Sequence, residues 1–288
     1  MATPRSRALK GLSVGLIGTG AVARYLVPAL EKCGATTRVH SRSLPRARAL
    51  GPAVARVEQL FTDCDVLLVC VPDRFLAAWS AKLAQALPAR RRTRAILHTS
   101  GAAGSDALHS LTKLGLATGY MHPLLSLPRG RKAPRAGGLP PGFAVGGDAA
   151  ARRLGTRCAR ALGGLVLAPR KGRELDYHLA ASLVANGAVA LFALAEEHMR
   201  AVGVPRAAYA ALLESVAHNL ATLDTHAAQS GPITRGDVAT LARHWQRLSA
   251  RSRSRYRGLA EQLIELSPAA ARSKREMRRL VRGGVRPG

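Results

Sequence analysis

The sequence predicts an α/β fold, a mostly parallel sheet flanked by helices, followed by an all-helical C-terminal domain. Three observations carry this. The first half alternates short β-branched runs with helical stretches, and each run ends in a polar or glycine-rich turn, the pattern of parallel βαβ units. From about Arg173 onward the pattern changes to long helical periodicity with no further strand. At 288 residues the chain also exceeds an ordinary single domain.

Taken in order, the expected strands are the runs GLSVGLIG, TTRVHS, DVLLVCVP, RAILHTS and LGLATGYMH. A loop dense in Pro, Gly, Arg and Lys follows between His122 and Gly142. GFAVGG, a helical ARRLGTRCARALGG and GLVLAP then add one more strand, helix and strand. Immediately after the first strand stands Gly18-Thr19-Gly20-Ala21-Val22-Ala23, which opens an amphipathic helix. In that context the glycines have physical work: Gly18 permits the tight turn, Gly20 lets a diphosphate approach the backbone, and Ala23 lets the helix pack on the strand. This fingerprint makes the first domain Rossmann-type, with Gly18, Thr19, Gly20, Ala21 and Val22 binding a dinucleotide.

The second strand ends at Val39-His40-Ser41-Arg42-Ser43, where an NAD enzyme would present a carboxylate to the ribose hydroxyls. Here Ser41, Arg42 and Ser43 are suited to an additional phosphate instead, because the guanidinium fork matches phosphate oxygens. NADP is therefore the expected cofactor, NADPH in preference to NADH. The expected layout is a basic N-terminal arm at 1–10, the dinucleotide-binding domain at 11–170, a helical substrate and dimerisation domain at 171–268 and a basic tail at 269–288.

With 44 basic and 17 acidic residues the formal charge is +27, a field that attracts phosphates and other anions. Nucleic acid is not the expected partner, since aromatic stacking residues make up only 4% of the chain. Leu179 to Ala195 carries no charge but is alanine-rich and contains Asn186, so a buried core helix is expected rather than a membrane span. The start, MATPRSRALK, runs into glycine rather than an apolar export segment, and the four cysteines lack zinc or disulfide spacing, which together suggest a cytoplasmic location.

Within that apolar run His178, Ser182 and Asn186 recur at intervals of four, so they share one helix face. Two further polar stretches, His98-Thr99-Ser100-Gly101 and Tyr120-Met121-His122-Pro123-Leu124, fall at strand ends, where open α/β sheets gather their ligands. These stretches, with GLIGTGAVA, the VPD at Val71 to Asp73, Tyr177-His178 and GPITRGDV at Gly231 to Val238, resemble a family of bacterial oxidoreductases. Its members join an N-terminal Rossmann-like domain to an uncharacterised helical domain. Wider kin are ketopantoate reductase, β-hydroxyacid dehydrogenases, pyrroline carboxylate reductase and prephenate dehydrogenase. The resemblance implies a cleft between the two domains, a homodimer, and cofactor contacts from Val71 and Pro72. Asn186 matches the asparagine that hydroxyacid dehydrogenases and ketopantoate reductases carry, while Ser182 stands where they have lysine. Ser100 and His122-Pro123 resemble a serine and histidine pair of prephenate dehydrogenases.

The expected activity is NADPH-dependent reduction of a small anionic, carboxylate-bearing carbonyl or imine compound, with 2-oxo acids such as ketopantoate first by kinship. His122 or His178, with a pKa near neutrality, would give the proton. Ser100, Ser182 and Asn186 would orient the substrate. Arg235 would pair with a carboxylate, and Asp237 would either orient Arg235 or cap the following helix. The alternative is a non-catalytic Rossmann protein that senses the cofactor or binds an anionic ligand.

Overall fold

The computed structural model describes residues 7–128 and 139–283. Seven strands form one sheet: β1 (Ser13–Ile17), β2 (Thr36–His40), β3 (Val66–Val69), β4 (Ala95–His98), β5 (Thr118–Leu124), β6 (Gly142–Gly147) and β7 (Leu165–Leu167). Their order is β2-β1-β3-β4-β5-β6-β7. Every neighbouring pair is parallel except β5 and β6, so the sheet is mostly parallel, and each strand falls on an expected run. The chain reverses its direction of travel across the sheet between β1 and β3, which opens the crevice where such sheets bind ligands.

Alternate side chains of each strand serve opposite faces. Val14, Leu16, Val66, Leu68 and Leu97 pack with α1 (Ala21–Lys32) and α6 (Ala149–Ala161) on one face. Ile17, Leu67, Val69 and Ile96 pack on the other with α3 (Glu58–Asp63) and α4 (Leu76–Gln85). Two short helices, α2 (Leu44–Arg48) and α5 (His109–Thr112), complete this part. Burial on both faces is why β3 and β4 read as unbroken apolar runs rather than alternating ones. At one end of the sheet the Asp65 carboxylate accepts hydrogen bonds from the Ser13 N–H at 2.9 Å and from Arg92 and Arg94 at 2.9 and 3.3 Å. Part of the basic cluster Arg90 to Arg94 is thereby structural, not merely solvated.

The helices that follow are α7 (Glu174–Ala201), α8 (Arg206–Thr222), α9 (Pro232–Arg235), α10 (Val238–Arg247), α11 (Ala250–Leu266) and α12 (Ala271–Val281). Ile233, Leu241, Trp245, Ala260, Ile264, Met277, Leu280 and Val281 form a core among α9 to α12. Serine caps α11: Ser249 Oγ accepts from the Ser252 N–H at 3.1 Å.

Three expectations need correction. The basic tail expected at 269–288 is helical at Ala271–Val281, because Met277, Leu280 and Val281 line one face and bury while the basic residues take the other. The basic arm expected at 1–10 is anchored at its described end, where Leu9 is fully buried and its N–H bonds the Cys33 carbonyl at 2.9 Å. Finally, the apolar run of α7 is not a buried core helix: Met199 alone of its residues is buried. Among the described residues α7 is also the one helix long and apolar enough to cross a membrane.

The chain divides into two compact units, the first ending at Ala188 and the second beginning at Val189. The expected boundary near 170 follows the end of the sheet, but the first half of α7 belongs to the sheet unit because of its contacts at Tyr177 and His178.

Candidate active site

The glycine turn after β1 has the geometry its sequence requires. Gly18 has φ +110°, its N–H bonds the His40 carbonyl at 2.8 Å, and a Cβ there would lie 2.4 Å from the Cys70 carbonyl oxygen. Only glycine fits. Gly20 precedes the first turn of α1 with no side-chain cap, and a Cβ on it would meet nothing within 4 Å. Open space therefore faces the unpaired N–H groups of a 12-residue helix, the arrangement that receives a diphosphate. The Arg24 guanidinium bonds the Thr19 carbonyl at 3.1 Å and adds a positive charge beside the turn, a contribution no motif announced.

Beyond β2, Ser41 Oγ accepts from the Ser43 N–H at 3.1 Å, and Arg42 is exposed between them. No carboxylate stands in this segment. His40 is buried with its Nδ1 3.2 Å from the Val54 carbonyl and its ring edge-on to Trp79, and burial holds its pKa below the ordinary value. Val71 is half-buried and Pro72 exposed just after β3, next to the crevice between β1 and β3.

At the ends of β4 and β5 the chemistry-bearing side chains converge. His98 is fully buried; its Nδ1 accepts from the Ser100 N–H at 3.2 Å and its Nε2 lies 2.9 Å from the Gly104 carbonyl. These two partners fix a neutral ring with the proton on Nε2, in keeping with the burial that lowers its pKa. Ser100 Oγ accepts from the N–H groups of Ala102 and Ala103 at 3.2 and 3.1 Å, so it shapes the turn as well as lining it.

The cluster packs against Gly101. A Cβ on it would lie 2.8 Å from His122 Cε1, 2.8 Å from His178 Cδ2 and 2.9 Å from His122 Nε2. His122 projects from β5, its Nδ1 is 3.0 Å from the Tyr177 hydroxyl, and its ring meets those of Tyr177 and His178 edge-on with centroids 5.7 and 6.1 Å away. Burial, with His178 adding to it, pushes the His122 pKa down to about 4. The expectation of a histidine poised near neutrality is thus corrected for His122, whose imidazole is neutral at pH 7. Burial pushes the Tyr177 phenol up to about 12, so it keeps its proton.

The structure therefore brings together His122, His178 and the Ser100 turn. Ser182, one turn beyond His178, is half-buried, and Asn186, a further turn along, is exposed. The i+4 line through His178 does not announce the Tyr177 contact, since Tyr177 lies 100° around the helix from it. In the second unit, Asp237 Oδ1 accepts from the Thr240 N–H at 2.9 Å at the start of α10. The capping alternative is the one realised, and backbone bonding to Thr240 holds that carboxyl below its ordinary pKa. Arg235 is exposed at the end of α9.

A comparison with curated proteins finds no match. Among solved structures the chain is similar to an NADP oxidoreductase candidate from Bacteroides fragilis, at 20% identity over 88% of this chain and 98% of that one, with a TM-score of 0.64. Protein TM1727 from Thermotoga maritima is 24% identical over 91% and 99%, with a TM-score of 0.59. The 1-pyrroline-5-carboxylate reductase of Streptococcus pyogenes is 17% identical over 88% and 98%, also with a TM-score of 0.59. At these identities the likeness is one of fold. Residues 3–123 match the Rossmann-like domain family and residues 142–263 match the domain of unknown function DUF2520, so the chain belongs to the proteins that join a Rossmann-like domain to a DUF2520 domain.

Proposed function

We propose that this protein is an NADPH-dependent oxidoreductase that reduces a small carboxylate-bearing carbonyl or imine compound, with 2-oxo acids such as ketopantoate first by kinship. The observation that carries the reading is the Tyr177–His122 pair, joined at 3.0 Å beside His178. Because β1, β3, β4 and β5 are parallel, this pair stands on the same edge of the sheet as the glycine turn. The names of two structural neighbours, an NADP oxidoreductase candidate and a pyrroline carboxylate reductase, support the reaction class.

The glycine turn at Gly18–Gly20 and Arg42 would hold NADPH, which when bound would supply the hydride for the carbonyl or imine carbon. Tyr177 holds the proton that the substrate oxygen or nitrogen takes up. A neutral His122 with its proton on Nδ1 keeps that proton and donates a hydrogen bond to the phenolate left behind, which then regains a proton from solvent. A low His122 pKa suits this role, since an imidazolium beside the phenol would add a buried charge. Arg42, between Ser41 and Ser43, binds the additional phosphate of NADPH.

NADPH oxidation measured across 2-oxo acids and cyclic imine acids tests the reading. Tyr177→Phe should lower kcat on the accepted substrate by on the order of 10² while leaving NADPH affinity unchanged. Arg42→Ala should erase a preference for NADPH over NADH of about tenfold, equivalent to about 1.4 kcal/mol. NADPH binding without oxidation by any compound of these classes would favour the cofactor-sensor alternative, and full turnover in Tyr177→Phe would remove the proposed proton donor.

A further inference from the structure

Most carboxylates of the first unit have a visible structural task. Glu31, Glu58, Asp63, Asp65, Asp148 and Asp176 each accept a hydrogen bond or pair with an arginine. The carboxylates of Asp73, Asp106 and Glu174 do neither among the described residues, and the charges of all three act on His98, that of Asp73 on His122 as well. The arginines beside them in sequence are turned to other partners: Arg74 lies 4.8 Å over the Phe75 ring, and Arg173 pairs with Asp176 at 3.2 Å. Glu174 is half-buried and shares a helix face with Tyr177 and His178, three and four residues further on. A Cβ on Gly104 would lie 2.8 Å from Asp106 Oδ1 and 3.7 Å from Glu174 Oε1. Two carboxylates thus approach one point, beside the turn that His98 braces through the Gly104 carbonyl.

Tyr120 points to a ligand independently. It is only 4% exposed yet makes no hydrogen bond among the described residues, although a buried phenol ordinarily finds a partner. It leaves β5 on the same face as His122, and its ring stacks on His98 with centroids 5.8 Å apart. The Glu174 charge acts on its phenol, which acts in turn on that of Tyr177. All these residues belong to the first unit.

Neighbouring carboxylates without a cation repel each other, and a protonated nitrogen answers both with charge-assisted N–H donors. A metal ion does not suit the place, since no group of three ligating side chains gathers among the described residues. Nor is general attraction at work, because a chain of formal charge +27 repels cations elsewhere. A compound whose sole charge is a carboxylate is opposed at this point.

We propose that Glu174 and Asp106, with the Tyr120 hydroxyl, form a subsite for a protonated nitrogen, ammonium or iminium, carried by the molecule that the site receives. The inference rests on the proposed function only in calling that molecule the substrate. Pyrrolidine, protonated at neutral pH, and oxolane, its uncharged oxygen analogue, are matched probes. Titrated into the full chain at pH 7 and followed by the His98 and His122 imidazole NMR signals, pyrrolidine should bind at least about tenfold more tightly than oxolane. Glu174→Gln should remove most of that preference while keeping the melting temperature. Should it fail to fold, Asp106→Asn, at an exposed position, replaces it in the test. Equal binding of the two probes, or a preference unaltered in a folded variant, would overturn the subsite.

Turnover forms a separate arm. In the NADPH oxidation screen, acceptance of cyclic imines identifies the iminium and acceptance of amino-substituted ketones the ammonium. On either, Glu174→Gln should raise KM at least about tenfold with little change in kcat. Acceptance of nitrogen-free 2-oxo acids alone would count against the subsite and leave the reductase reading intact. Pyrrolidine binding that depends on Glu174, with no NADPH oxidation by any compound, would do the reverse.

Discussion

Leu67 and Leu68 in the sheet and Leu183 and Val184 in α7 are equally apolar neighbours in sequence, yet the first pair is fully buried and the second is 67% and 75% exposed. The difference lies in the geometry of cover. A strand sends successive side chains to opposite faces, and in this sheet both faces are covered by helices of the same chain. A helix needs cover over every apolar side it presents, and of the residues of α7 only Met199 is buried. Hydrophobicity states that a residue must leave water without stating which molecule removes it.

The largest expected effect lies at the sheet, where the backbone itself is specified. Gly18→Ala would combine a φ of +110° with a Cβ 2.4 Å from the Cys70 carbonyl. The backbone conformation alone costs about 1–3 kcal/mol, and the clash moves the turn away from β3. NADPH affinity, read by fluorescence titration, should fall by on the order of 100-fold, and the melting temperature should fall with it. Unchanged binding would break the claim that this turn is the cofactor cradle.

A smaller effect separates the units by pH. The pKa of His122 is held at about 4 against an ordinary 6.5, first by burial and then by His178, and burial also lowers those of His98 and His40. As pH falls, the unfolded chain takes up these protons before the folded one does. Stability from His122 is therefore complete above about pH 6.5 and is lost toward pH 4, at up to about 1.4 kcal/mol per pH unit. Urea unfolding at stepped pH should show the first unit weakening across this window, and His122→Gln should flatten the slope. A slope unaltered by the substitution would remove His122 from the account.

Much of the fold was legible because each strand run ended in a turn with its own chemistry, as Gly18 and Ser100 illustrate. The site was legible in part. His122 and His178 could be named from a strand end and a helix line, since both are local features. Tyr177 and Gly101 depend on which side chains meet across β4, β5 and α7, and no local pattern encodes such a meeting. Asn186 shares the helix line with His178, but it lies two turns further on, about 12 Å along the helix, far enough to leave the cluster. The low pKa of His122 was equally hidden, because burial belongs to the environment and not to the residue. In the tail, the repeated arginines outnumber Met277, Leu280 and Val281, whose helical spacing is present in the sequence.

The smallest effect sharpens the comparison by reversing its sign. Gly258 lies inside α11, exposed, and a Cβ on it would meet nothing within 4 Å. Nothing there requires glycine, so the residue only adds freedom to the unfolded chain and weakens the helix. Gly258→Ala should stabilise the second unit by roughly 0.5–1 kcal/mol, seen as a rise of about 2–4 °C in its melting transition. The same replacement that disables the turn after β1 should thus strengthen α11, because at Gly18 the absent Cβ makes room for a carbonyl and at Gly258 it makes room for nothing. A fall in stability would mean that α11 is covered at Gly258 by something outside the described residues.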